Sequence, residues 1–220
     1  MVRGLRRACA TSRAALVLMG AVAFAVASVS AAAATEDQDI LVDVRTDGPA
    51  VHVAVDCPVA APRELVWEVI TDYDHMARFV ANLETSRILS RDNDRLRIYQ
   101  KGKASRGLLT ITFENVRDID LVPKREVHSR LVSGDLKESE FTTTIAEKDG
   151  VVHIRNSGRF IPNIWVPPLI GPSIIAAETR KQFGEIRAEI LRRKAQIRPA
   201  ENAAGDAASA TPPSHVAVPR

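Results

Sequence analysis

The chain has almost nothing with which to cross-link itself. It contains two cysteines, Cys9 and Cys57. The first lies in an N-terminal segment that reads as removable, so a mature chain keeps one thiol and forms no internal disulfide. A body without that staple must be held by its core. Metal chemistry has as little support: His52, His75, His128, His153 and His215 show neither HxxxH nor HExxH spacing, and no CxxC occurs. Also missing are GxGxxG, GxxxxGKS/T and GxSxG, which removes the familiar nucleotide-binding and serine-hydrolase signatures. Neither a metal nor a cofactor is expected.

Positive charge is scarce where it would matter. Of the formal net charge of +3, Arg3, Arg6, Arg7 and Arg13 lie in a stretch without one acidic residue, and setting those four charges aside takes +3 to −1. A body near neutrality creates no field that would hold a phosphate backbone, so nucleic acid is not an expected partner.

Ala14 to Ala34 carries no charge and runs into SVSAAAATEDQ, small residues followed by an abruptly acidic start. Residues 1–34 therefore read as a secretory signal peptide, with a mature protein beginning near Thr35 in the periplasm or outside the cell. The alternative is an uncleaved membrane anchor, since the run approaches the roughly 20 residues that span a bilayer. Its alanine richness favours cleavage. At the other end, Pro199 to Arg220 is rich in alanine, proline and serine, and residues 198–220 are expected to form a disordered tail. Residues 35–197 remain for one domain with one core.

Within that domain, residues 40–45 and 51–55 alternate as strands around an Asp47-Gly48-Pro49 turn. Pro62 then opens a short helix with Leu65, Val66, Val69 and Ile70 on one stripe. Residues 85–91, 94–104, 108–118, 125–133, 136–146 and 151–160 have strand character. They are separated at Asp92-Asn93, Arg106-Gly107, Pro123-Lys124, Ser133-Gly134 and Asp149-Gly150, which predicts an antiparallel meander. A long helix beginning at Pro172 closes the domain. Ile175, Thr179, Phe183, Ile186 and Ile190 form its apolar stripe, and Glu189 and Arg193 are spaced for an exposed ion pair. The sum is an α+β architecture in which a curved antiparallel sheet wraps a C-terminal helix.

The passages VWEVITDYDHMARFVANLETSRIL, RIYQKGKA, LVSGDLKESEF and FIPNIWVPPLIGPSI resemble the START-like superfamily, specifically its polyketide-cyclase and coenzyme Q-binding branch. The resemblance spans about Val51 to Arg193 and includes the block from Trp67 to Tyr73. It implies a helix-grip fold with an apolar cavity between the sheet and the last helix. It says little about substrate, because members include lipid carriers, quinone binders, aromatase/cyclases and a ribosome-association toxin.

Strand parity indicates which side chains would face that cavity. Leu96, Ile98, Gln100, Gly102 and Ala104 share one inward face, and Leu109, Ile111, Phe113 and Asn115 the next. Val127 with Leu131, Phe141 with Ile145, and Val152, Ile154, Asn156, Gly158 and Phe160 complete the set. His128 and His153 fall on the opposite parity. The expected ligand-binding residues are Ile98, Gln100, Phe113, Asn115, Phe141, Asn156, Phe160, Trp165, Ile175 and Phe183. The inward polar groups among them are neutral amides, which suit a carbonyl, quinone or sterol-like hydroxyl and supply no acid or base. The same amides could instead satisfy buried backbone groups. Gly102 and Gly158 leave volume for a ligand or mark bends of the sheet. Phe160 to Ala177 carries no charge and holds Trp165 among four prolines, which excludes a spanning helix. It reads as a loop packed on the sheet or as an apolar flap in transient contact with a membrane surface. Asp72, Asp74 and His75 are assigned to turn formation. The function expected is non-enzymatic binding or transport of a hydrophobic small molecule by an exported monomer. The rivals are a polyketide cyclase or dehydratase and a protein-interaction module resembling the toxin branch.

Overall fold

The chain divides into two units, residues 1–36 and 37–220. The computed structural model describes residues 39–106, 109–163 and 171–208, all in the second unit. Two strands come first, β1 (Leu41–Asp47) and β2 (Ala50–Val59). Helix α1 (Arg63–Ile70) and a single 3-10 turn (Met76–Arg78) follow. The meander comprises β3 (Leu83–Asp92), β4 (Arg95–Arg106), β5 (Leu109–Val122), β6 (Glu126–Gly134), β7 (Leu136–Lys148) and β8 (Val151–Pro162). Helix α2 (Gly171–Ala208) closes the chain.

All strand pairs are antiparallel in the order β1-β2-β8-β7-β6-β5-β4-β3. The meander is local, each strand pairing with the next. The one long-range pairing is β2 with β8, which sets Val55 opposite Asn156 and Val53 opposite Gly158. Turn chemistry places the hairpins where the sequence predicts them. Asp149 and Gly150 both have positive φ, 53° and 76°, the backbone that a two-residue hairpin matched to strand twist requires. The architecture is the expected α+β helix grip.

The core forms where α1 and the second half of α2 meet the sheet. Leu65, Val66, Val69 and Ile70 are the buried stripe of α1. They join Val51, Cys57, Val59, Ile98, Ile119, Ile154 and Ile190, each at most 1% exposed. The closest element neighbours of α2 are β1, β2 and α1. Its backbone continues to Ala208, past the tail boundary expected at residue 198. The alanine-rich stretch there has the propensity for helix. Residues 209–220 and the expected signal peptide lie outside the described residues.

The Glu189–Arg193 pair is not exposed as its spacing on α2 alone suggests: Glu189 is buried and Arg193 half-buried. Glu189 is 9% exposed, and its carboxylate accepts hydrogen bonds from Arg193 Nε at 2.7 Å and from Arg192. Arg193 reaches across to Asp72 at 2.7 Å, and Asp72 also takes the His75 ring at 2.7 Å. The turn after α1 and the middle of α2 are thereby clamped together. The reason is long-range: residues more than a hundred positions away supply the partner that covers the pair.

This clamp predicts acid sensitivity. Hydrogen bonds from Arg192 and, behind it, Arg193 outweigh burial and pull the Glu189 carboxyl from its ordinary 4.5 to about 2. Asp72 is pushed up by burial, but Arg193 and His75 together hold it below its ordinary value. A depressed carboxylate contributes stability that is complete above its unfolded pKa and disappears as pH falls through the folded one. The loss should run from about pH 4.5 down to about 2, and with solvent screening it amounts to about 1–3 kcal/mol. Denaturation midpoints measured across that range should fall more steeply in the wild type than in Glu189→Gln; parallel curves would exclude the clamp as the cause.

Candidate functional site

Three levels follow one another inside the sheet. At the bottom, Leu96, Ile98, Ile119, Val127, Ile145, Val152 and Ile154 meet Ile186 and Ile190 of α2, all 8% exposed or less. This level is sealed. At the other end, Phe113, Phe141, Phe160, Ile175 and Phe183 pack on the core yet are only partly buried. The rings of Phe141 and Phe160 stack with centroids 6.4 Å apart. These side chains form an apolar surface that the described residues close only in part.

Between these levels lies a polar belt. Gln100 donates to Ser86 Oγ at 3.2 Å and to Met76 Sδ, while Asn156 donates to Thr143 Oγ1 at 2.8 Å. Asn115, opposite Gln100 in the register, is 8% exposed, and its Oδ1 is buried without a partner. Two residues further along β5, Arg117 donates from Nε to Ser129 Oγ at 2.7 Å and from Nη2 to Ser139 Oγ at 3.0 Å. Burial pushes the Arg117 guanidinium below its ordinary pKa, opposed by Tyr73. Tyr73 is itself 7% exposed, and burial pushes its hydroxyl far above the ordinary value.

The expected residues are distributed over all three levels. Ile98 belongs to the sealed core, and Gln100, Asn115 and Asn156 to the belt. Phe113, Phe141, Phe160, Ile175 and Phe183 form the half-open level, while Trp165 lies outside the described residues. His128 and His153 point away, pairing with Thr142 and Asp56.

Two sequence readings need correction. The interior is not limited to neutral amides: Arg117 follows Phe113 and Asn115 at the same parity, so extending that face by one alternate position would have found it. The same extension finds Ser129 between Val127 and Leu131, Ser139 before Phe141, and Thr143 between Phe141 and Ile145. Nor do the strand glycines leave ligand volume. A Cβ at Gly102 would stand 2.0 Å from the Asn82 carbonyl oxygen, and one at Gly158 would stand 2.2 Å from that of Glu140. Close backbone approach takes that space.

The outer surface offers less. A cleft of about 890 Å³ between α1 and α2 is lined by Trp67, Phe79 and the clamp residues, whose charges already answer one another. On the outer strand faces, Arg97 pairs with Asp118 at 2.7 Å, Arg95 with Asp120 at 3.3 Å and Lys103 with Glu84 at 3.0 Å. The run of cations on β4 therefore does not present a uniformly basic face. Among the described residues no helix is long and apolar enough to cross a membrane.

A curved sheet gripping a long helix over a half-open apolar interior defines a helix-grip protein. The chain belongs to the polyketide cyclase / dehydrase and lipid transport family, whose model matches residues 59–170. Solved structures share the fold. A STAR-related lipid transfer protein from Xanthomonas axonopodis superposes with a TM-score of 0.57 at 12% identity, covering 69% of this chain and 93% of that one. The Zhui aromatase/cyclase from Streptomyces sp. R1128 gives 0.55 at 17%, covering 66% and 95%. A START superfamily protein from Mycobacterium smegmatis gives 0.53 at 14%, covering 64% and 97%. At these identities the likeness is one of fold. No curated protein matches the sequence.

Proposed function

We propose that this protein binds and carries a hydrophobic small molecule, without chemistry, in an exported compartment. The observation that carries the reading is the set of half-buried apolar side chains, Phe113, Phe141, Phe160, Ile175 and Phe183, above a sealed core. A folded protein gains by closing such a surface, and a lipophilic ligand would close it. Export rests on the uncharged Ala14–Ala34 run and the small residues before Thr35. The uncharged, proline-stiffened segment with Trp165 serves in this reading as the flap through which ligand passes to and from membranes.

Cyclase or dehydratase activity is the second reading, and Arg117 with Tyr73 favours it by bringing titratable groups into the interior. The upward shift of Tyr73 and the intrinsic basicity of a guanidinium weigh against it. A tyrosine held above its ordinary pKa is protonated at neutral pH, and an arginine remains charged, so neither accepts a proton. No histidine or carboxylate stands among the inward strand side chains named above.

Mass spectrometry of organic extracts of the exported protein should reveal a stoichiometric lipophilic compound. The delipidated protein should take up a fluorescent lipid from vesicles, more slowly in Trp165→Ala at unchanged equilibrium affinity. An empty extract together with no uptake would overturn the carrier reading. Conversion of an added polyketide chain would replace it with the enzyme.

A further inference from the structure

A guanidinium has five N–H donors. Arg117 uses two, one from Nε on Ser129 and one from Nη2 on Ser139. Both acceptors are neutral hydroxyls. Arg97, Arg130 and Arg193 all meet carboxylates, at 2.7 Å in each case. No carboxylate among the described residues acts on Arg117; burial and Tyr73 alone set its state. Packing gives no reason for a charge here, because an apolar side chain of similar volume fills space without desolvating a cation.

The unused donors are at the tip: both hydrogens of Nη1 and one of Nη2. Side by side, they match the two oxygens of a carboxylate or phosphate. The two serines fix the other edge of the guanidinium, so the tip is held in orientation. Arg117 also stands at the junction of the levels. Inward along β5 comes Ile119, 1% exposed, and outward come Asn115 and the half-open Phe113.

We propose that Arg117 is the anchor for an anionic head group, and that the ligand is an amphiphile bearing a carboxylate or phosphate, lying head inward with its tail among Phe113, Phe141, Phe160 and Phe183. This rests on the carrier reading and narrows its ligand class. The anion supplies the counter-charge that the fold leaves out, at a half-buried guanidinium where pairing is stronger than in open water.

The test compares palmitate, methyl palmitate and hexadecyl phosphate by titration against the delipidated wild-type protein. Palmitate or the phosphate should bind at least tenfold more tightly than the ester, and whichever anion binds more tightly identifies the head. Arg117→Met should remove that preference while ester binding persists, and Arg117→Lys should keep part of it, as a charge without the planar fork. Equal affinity of all three probes for the wild type would overturn the anionic anchor and leave the carrier standing. Binding of none would overturn both. Should Arg117→Met fail to fold, the wild-type preference and Arg117→Lys still decide.

Discussion

Gly102→Ala is expected to cost about 3 kcal/mol or more, the upper end of overpacking effects, and to lower the melting temperature by about 6 °C or more. The added Cβ would stand 2.0 Å from the Asn82 carbonyl oxygen and 2.7 Å from Phe113 Cζ. A phenyl ring can swing aside. The carbonyl cannot, because it accepts the Lys103 N–H at 2.9 Å and so fastens the loop before β3 to β4. Relief requires breaking that bond and shifting the β3 edge. A melting temperature within about 1 °C of wild type would show that the loop yields freely and that the glycine is not needed.

Ile190→Ala should be comparably damaging, at about 2–5 kcal/mol, since the side chain is 0% exposed and its removal leaves a cavity at the bottom of the helix grip. Ile175→Ala, on the same stripe, should cost about 1 kcal/mol or less, because partial exposure means less buried area to lose. The contrast has a functional meaning. The middle of α2 is fixed by Ile186, Ile190 and the Glu189–Arg193–Asp72 clamp, whereas Ile175 and Phe183 nearer its start are only half-buried. In the carrier reading, opening for ligand is expected near the start of α2, with the anchored middle as its hinge. Thermal melts of the two variants test this, and equal losses would mean that the helix is packed uniformly along its length.

The carrier reading depends on that asymmetry as much as on the volume beneath it. In that reading, a site sealed at the bottom, polar in the middle and apolar at the mouth would orient an amphiphile by its own layering. Of the amides read from the sequence, Gln100 and Asn156 each donate from the side-chain nitrogen to a protein partner. Asn115 Oδ1 is buried without a partner and is available to a donor.

By itself the sequence determined the order of elements, the hairpins and the inward faces. These depend on local rules, the two-residue strand period, the helical stripe and the turn chemistry of pairs such as Asp149-Gly150, and local rules need no knowledge of distant residues. Arg117 was within reach of the same parity; only the early end given to that face concealed it. Three features were decided by tertiary structure alone. Glu189 is buried and Arg193 half-buried because Asp72 and Glu68 come to meet Arg193 from the other end of the domain. Gly102 is required because the Asn82 carbonyl packs against it. The Gln100 amide nitrogen is engaged because Ser86 and Met76 come within its reach. In each case the meaning of a residue lies in which remote backbone or side chain the curved sheet brings within a few ångströms, and neither period nor composition encodes that convergence.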